Sequence, residues 1–174
     1  GIAVIQAARN GAGMLAGRTR DGVRGMGMGF ARYSNEASYA AVVAEVEAGE
    51  TVRVTRIVAA VDCGRAINPN GIANQIEGGV VQAMSFATKE AVQFDRTRIL
   101  SRSWDTYPIL RFNEAPPVET ILIDRPDQPS LGVGEAVAGP TAAAIANAIF
   151  DAIGVRVRDL PMTRDRIVAA IHGM

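Results

Sequence analysis

The spacing of hydrophobic positions predicts a β-hairpin in the second quarter of the chain. Residues 39–46 form an apolar, β-prone run, residues 47–50 have the composition of a turn, and residues 51–55 alternate between apolar and polar side chains. A period of two places successive side chains on opposite faces of a strand, and two such strands joined by a short turn form a hairpin. We expect the second strand of this hairpin to continue to Val61.

A different spacing follows and predicts an amphipathic helix that ends near Ala87. Asn68 and Pro69 are typical of an N-cap and a first helical position. Apolar residues then recur every four positions, at Ile72, Ile76, Val80 and Met84. The pair Gly78-Gly79 interrupts this helix, and each glycine costs about 1 kcal/mol relative to alanine. We therefore expect another element or a ligand to approach the backbone of the pair closely.

The second half of the chain is predicted to combine short strands with two helices. Short apolar runs indicate the strands, and a stretch rich in Pro and Gly indicates a loop. An apolar face between Gly139-Pro140 and Gly154 predicts a helix with a glycine stop. The predicted elements are, in order, strands 89–94, 99–103 and 118–124, the loop 125–138, the helix 139–154 and a last helix from about Thr163.

The beginning of the chain is predicted to be a helix followed by a glycine-broken connection. Residues 2–16 are rich in alanine, and residues 18–29 are interrupted by four glycines. The resulting fold class is α+β, with β-hairpins or a mixed sheet packed with helices. We expect one domain, 1–174, with the helix and Gly-rich connector in residues 1–24 and the α+β body in residues 25–174. Because the chain opens on apolar sequence without an initiator Met, we expect a processed or truncated chain.

Composition excludes several classes of protein. The 174 residues carry 18 basic and 18 acidic side chains, whereas proteins that bind nucleic acids or anionic membranes need a basic excess. One Cys and one His argue against a disulfide framework, a multi-thiolate metal site and a Ser-His-Asp triad. We expect Cys63 to be a buried structural thiol, His172 to be exposed, and Trp104 and the pair Met26/Met28 to serve packing.

The segment with the most chemical information is the loop 131–137, in which Glu135 follows two glycines and precedes a helix. Glycines allow a ligand close to the backbone, and a helix N-terminus favours negative charge. Taken alone, the same residues also fit a plain turn whose glutamate interacts with the helix dipole. A dinucleotide-binding loop fits poorly here, because the third glycine is missing, and at 25–29 it fits worse, because β-prone sequence follows.

Five stretches, in the same order and at the same spacing, resemble the molybdopterin-binding subunit of the xanthine dehydrogenase/aldehyde oxidase family. The similarity is to the C-terminal part of that subunit and is nearest to the β subunits of the isoquinoline 1-oxidoreductase type. Residues 24–31 also fit the glycine-rich strand that precedes this region in the family. The five stretches are 60–69, 75–80, 107–116, 132–135 and 143–149.

The resemblance implies a set of site residues. Glu135 corresponds to the general base, which removes a proton from the water-derived oxygen that is added to the substrate. Gly132, Val133 and Gly134 are expected to lie against the molybdenum centre, with no protein ligand to the metal. Gln75 and Gly78 are expected to face the pterin dinucleotide, although small residues in a helix are equally explained by packing against the sheet.

The resemblance also implies a cofactor, partners and a reaction. The cofactor is molybdopterin cytosine dinucleotide with molybdenum, the substrate is an aldehyde or an N-heteroaromatic ring, and electrons pass to a 2Fe–2S subunit. Family subunits are several times longer than this chain. We therefore expect the chain to need the remaining N-terminal part of the molybdenum subunit and to be inactive and free of cofactor on its own.

Two other functions remain open at this point. The chain could be a non-catalytic assembly module that completes a larger molybdenum subunit or docks an iron–sulfur partner. It could also be a nucleotide- or pterin-binding domain of another reaction class, if the glycine loops alone are considered.

Overall fold

Four strands form one mixed sheet in the computed structural model, which describes residues 1–14, 23–49 and 51–173. The spatial order follows the chain, with antiparallel pairing of the first three strands and parallel pairing of the last two. The strands are β1 (Arg24–Arg32), β2 (Tyr39–Ala48), β3 (Val52–Asp62) and β4 (Val118–Ile123). The predicted hairpin is β2–β3, and its extent is confirmed.

Helices cover both faces of this sheet. They are α1 (Ile2–Ala12), α2 (Pro69–Thr88), α3 (Ala138–Ile153) and α4 (Arg164–His172). Because successive strand residues point to opposite faces, Ala41 and Val43 of β2 pack with α1, whereas Ala40 and Val42 face the core shared with α2 and α3. This arrangement confirms the predicted α+β class. Among the described residues, no helix has both the length and the apolar character that a membrane span requires.

The predicted helix ends are confirmed by their caps. The Asn68 side chain accepts a hydrogen bond from the amide of Gly71 at 3.0 Å, which satisfies a donor of the first turn of α2. Gly154 ends α3 in the left-handed conformation with φ of 77°, as expected for a glycine stop. The predicted last helix begins after Thr163, its N-cap residue.

β1 occupies Arg24–Arg32, which confirms the glycine-rich strand that the resemblance implies at 24–31 and shows that the glycine-broken connector predicted at 18–29 does not extend over 24–29. Glycines at alternate positions leave one face of β1 without side chains, and this face packs against α3. A Cβ atom on Gly25 would lie 2.0 Å from the Ala148 carbonyl oxygen, and one on Gly27 would lie 2.1 Å from the Ala148 amide nitrogen. The glycines therefore allow close packing of the strand on the helix. Residues 15–22, which complete the predicted helix and connector, lie outside the described residues.

The predicted strands 89–94 and 99–103 are also wrong. Phe94 and Ile99 form a single isolated bridge, and both side chains are exposed. Hydrogen bonds tie the segment that follows to α2 instead of to a strand: the Leu110 amide donates to Ser85 Oγ at 2.9 Å, and the Tyr107 hydroxyl donates to Glu90 beyond the end of α2 at 2.7 Å. Among the described residues, these two runs pair only with each other at this bridge and do not join the sheet.

The expectations for single side chains have mixed outcomes. Met26 and Met28 pack against the α1 side of the sheet, and His172 is exposed, as predicted. Cys63 is buried, which also agrees with the prediction. The prediction for Trp104 is wrong, since 74% of this residue is exposed.

Candidate active site

The loop that contains Glu135 is anchored at the C-terminal end of β3. The Leu131 amide donates to the Cys63 carbonyl at 2.9 Å, and the Arg125 amide donates to the Gly64 carbonyl at 3.1 Å. Gly64 has a φ of 70°, and a Cβ there would lie 1.9 Å from the carbonyl oxygen of Pro129, so this crossing requires glycine. The loop is therefore held against the sheet before it reaches residues 132–135.

Residues 132–135 then pass beside the first half of α2. A Cβ on Gly134 would lie 3.7 Å from Oε1 of Gln75, and a Cβ on Gly79 would lie 2.9 Å from Cγ2 of Val137. A Cβ on Gly78 would have no heavy atom within 4 Å. The explanation of small residues by packing thus applies to Gly79, whereas Gly78 leaves open space at the surface of α2.

Glu135 is exposed and is held by one side chain from another element. The hydroxyl of Tyr33, in the turn between β1 and β2, donates a hydrogen bond to Oε2 of Glu135. This hydrogen bond, together with the negative charge of Glu135, raises the pKa of Tyr33.

A second bond joins the same turn to the same loop. Ser38 is fully buried, and its Oγ donates to the Gly132 carbonyl oxygen at 2.7 Å. Sequence reasoning missed both Tyr33 and Ser38, because they lie 102 and 94 residues from their partners and belong to no local motif.

The loop also presents unused hydrogen-bond donors. The backbone amides of residues 132–135 donate no hydrogen bond to any described residue, whereas the amides of Ala136 and Ala138 bond the carbonyls of Val133 and Glu135 at 3.3 and 3.1 Å. The carboxamide of Gln75 is exposed beside them. Such a set of donors suits a ligand rich in oxygen and nitrogen acceptors, such as a pterin with its phosphates. The residues present therefore fit one side of a molybdopterin site.

Two further observations concern metal and thiol chemistry. Within the described ranges, no three His, Cys, Asp or Glu side chains come together in a way that could hold a metal ion. Cys63 lies behind the loop, and burial raises the pKa of its thiol, so it is a packing residue rather than a nucleophile.

A groove of about 710 Å³ runs along the outer face of α2 from Gly78. Phe86, Trp104 and Ile109 line it, and these side chains are 45%, 74% and 44% exposed. The next exposed aromatic residue is Phe112, at 99%. Sequence reasoning missed this surface, because residues 89–94 and 99–103 were expected to form short strands and Trp104 to serve packing.

Comparisons with known proteins identify the family of the chain. The family model described as "Molybdopterin cofactor-binding domain" matches residues 5–116, which include Gln75 and Gly78 and end before the loop of Glu135. One of the nicotinate dehydrogenase subunits of Pseudomonas putida is 44% identical over 163 residues, covering 88% of this chain and 14% of its own length. The β subunit of isoquinoline 1-oxidoreductase of Brevundimonas diminuta is 32% identical over 148 residues, covering 83% of this chain and 19% of its own.

Solved structures show the same likeness. Quinoline 2-oxidoreductase from Pseudomonas putida 86 superposes with a TM-score of 0.71 and 28% identity, over 78% of this chain and 19% of that one. Aldehyde oxidoreductase from Desulfovibrio gigas superposes with a TM-score of 0.68 and 27% identity, over 78% of this chain and 15% of its own. The chain thus spans less than a fifth of the length of these relatives. It belongs to the molybdopterin cofactor-binding domain family and corresponds to part of a molybdopterin-binding subunit of the xanthine dehydrogenase/aldehyde oxidase family.

Proposed function

We propose that this chain forms one wall of a molybdenum hydroxylase site that oxidises an aldehyde or an N-heteroaromatic substrate, with Glu135 as the general base. The observation that carries the proposal is the position of Glu135, which is exposed on a loop that passes beside Gln75 and whose amides at 132–135 bond no described residue. The named relatives act, by their names, on nicotinate, isoquinoline, quinoline and aldehydes. These names support the substrate class, and N-heterocycles are the more frequent among them.

The reaction adds one oxygen from water to the substrate and releases two protons and two electrons. The molybdenum–pterin group, when bound, supplies the two-electron oxidation. Glu135 accepts a proton from the water-derived oxygen, which makes that oxygen a stronger nucleophile. The amides of residues 132–135 and the Gln75 side chain bind the acceptor atoms of the cofactor, which we propose to be molybdopterin cytosine dinucleotide, and Gly78 leaves room for it.

We further propose two protein partners, the remaining part of the molybdenum subunit and a 2Fe–2S subunit that receives the electrons. The support is the groove along α2, together with the small share of the relatives' length that this chain spans. A groove lined by the exposed side chains of Phe86, Trp104 and Ile109 is typical of a surface that another segment covers. We expect the chain alone to bind no molybdenum in stoichiometric amount.

The test is carried out in the restored enzyme, meaning the full-length parent subunit that carries this segment, together with its iron–sulfur partner. Glu135→Gln is compared with the wild type for turnover on aldehydes and N-heterocycles, and molybdenum is measured by elemental analysis. Loss of a general base lowers kcat by about 10²–10⁴-fold, at unchanged molybdenum content. Glu119→Gln is the matched control, because Glu119 is a half-exposed carboxylate on β4 that pairs with Arg56 away from the loop.

Undiminished turnover of Glu135→Gln would remove Glu135 from the reaction. The groove would then favour the second candidate function, a non-catalytic assembly module. Under that function, charged substitutions of Trp104 would abolish association with the remaining part of the subunit, whereas Glu135→Gln would leave it intact. Stoichiometric molybdenum in the isolated chain would contradict the expectation that the other segments are needed.

A further inference from the structure

We propose that Tyr33 is a positioning residue for Glu135, and that the β1–β2 turn, residues 33–38, clamps the loop 132–135 at both of its ends. This inference rests on the proposed function of Glu135 as the base. It assigns a second region of the chain, more than ninety residues away in sequence, to the same site.

The clamp has two contacts that act on different parts of the loop. Tyr33 donates its hydroxyl hydrogen to the Glu135 side chain, and Ser38 donates to the backbone carbonyl of Gly132 at 2.7 Å. Gly132 and Glu135 are the first and last residues of the segment whose amides are free of hydrogen bonds to the described residues. The Ser38 bond therefore fixes the position of the loop backbone, and the Tyr33 bond fixes the orientation of the Glu135 carboxylate.

The turn that carries Tyr33 is itself rigidly built. The Tyr33 amide donates to the Ser38 carbonyl at 3.0 Å, and the Ala37 amide donates to the Tyr33 carbonyl at 3.0 Å. Ser34 has a φ of 48° and a ψ of 25°, a left-handed conformation that is uncommon for a residue other than glycine. Such a conformation persists where the surroundings determine it, and here the pairing of Arg32 with Tyr39 holds both ends of the turn.

The bond occupies only one of the two carboxylate oxygens of Glu135. Tyr33 bonds Oε2, whereas Oε1 receives no hydrogen bond from the described residues and is left available to accept a proton. Two side chains shift the pKa of the Tyr33 phenol: Glu135 raises this pKa, and a hydrogen bond with the Ser34 side chain lowers it.

The consequence is geometric. An exposed glutamate on a loop without the Tyr33 bond would sample several rotamers, and a displacement of about 1 Å in a catalytic group can cost 10²-fold in rate. Tyr33→Phe keeps the ring and removes only the hydroxyl. Tyr39→Phe is the matched control, since its hydroxyl makes no hydrogen bond to the part of the chain that the structure describes, and its ring stacks on Phe30.

The first experiment tests the contact in the chain itself and needs no cofactor. NMR of isotope-labelled tyrosine rings follows the titration of Tyr33, Tyr39 and Tyr107, the three tyrosines of the chain. Glu135→Gln is expected to lower the pKa of one phenol only, the one whose signal disappears in Tyr33→Phe. If Glu135→Gln leaves all three titrations unchanged, the contact does not exist in solution and the proposal is overturned.

The second experiment tests the consequence in the restored enzyme. Tyr33→Phe is expected to lower kcat by about 10- to 100-fold, with KM and molybdenum content unchanged, and Tyr39→Phe is expected to match the wild type. Ser38→Ala removes the hydrogen bond to the Gly132 carbonyl and is also expected to lower kcat.

Three results would count against the role of Tyr33, and they are separable. Wild-type kcat in Tyr33→Phe, while Glu135→Gln is inactive, would overturn the positioning role and leave the proposed function standing. Loss of molybdenum in Tyr33→Phe would overturn it in favour of a structural role. Undiminished turnover in Glu135→Gln would overturn the proposed function and, with it, the role of Tyr33 in the reaction.

Discussion

Alanine at position 78 should stabilise the isolated chain and impair the enzyme, and the two effects have different physical causes. Gly78 lies in the interior of α2, where alanine is favoured over glycine by about 1 kcal/mol. A Cβ at this position would meet no heavy atom within 4 Å, so no packing cost offsets the gain. We expect Gly78→Ala to raise the free energy of unfolding by about 1 kcal/mol, which corresponds to about 2–4 °C in Tm for a chain of this length.

The neighbouring glycine supplies the matched control. Gly79→Ala has the same gain in helix propensity, but its Cβ would lie 2.9 Å from Cγ2 of Val137, which is fully buried and has little room to move. We expect this contact to cancel the gain or to reverse it. Both variants are measured by urea unfolding of the isolated chain, followed by circular dichroism at fixed temperature and pH.

The same substitution in the restored enzyme tests why glycine occupies an open position. If the cofactor lies against Gly78, Gly78→Ala lowers molybdenum content or cofactor affinity although it stabilises the chain. A stabilised chain with full cofactor and full turnover would remove Gly78 from the cofactor site. A destabilised isolated chain would refute the reasoning from open space at this residue.

Three further predictions concern stability and reactivity. Gly27→Ala should lower the free energy of unfolding by about 1–3 kcal/mol or more, because its Cβ would lie 2.1 Å from the Ala148 amide nitrogen. Urea unfolding measures this change, and an unchanged free energy of unfolding would contradict the packing of β1 on α3. Lys89 lowers the pKa of Glu114, so their ion pair stabilises the fold at neutral pH and is lost as the pH falls through that lowered pKa. Glu114→Gln should abolish the loss of stability that this ion pair causes at acid pH, and for a partly exposed pair we expect a change of under about 1 kcal/mol. An unchanged acid-unfolding curve of this variant would refute the contribution of the pair. Cys63 is buried and should react with a thiol reagent only as fast as the chain unfolds, whereas rapid native reaction would contradict its burial.

Local patterns in the sequence determined most of the elements. The hairpin β2–β3, the cap of α2 at Asn68 and the glycine stop of α3 depend on the conformational preferences of neighbouring residues, so they could be predicted without the fold. The strands expected at 89–94 and 99–103 could not be judged this way, because an apolar run becomes a strand only where the tertiary structure pairs it with a sheet, and here Phe94 pairs only with Ile99 in the described residues. The local pattern of glycines in β1 indicated a connector, and only the resemblance indicated a strand, because the close packing that requires these glycines exists only once α3 lies on them.

For the candidate site, the sequence by itself indicated the family, and the resemblance proposed residues 132–135 with Gln75 and Gly78 as site residues. Only the tertiary structure decided that Tyr33 and Ser38 reach this loop, that Gly78 is open while Gly79 is packed, and that Trp104 is exposed on the groove. The physical reason is distance along the chain. Contacts between residues about a hundred positions apart are set by the order of the strands and by the face that each helix covers, and no local spacing encodes either.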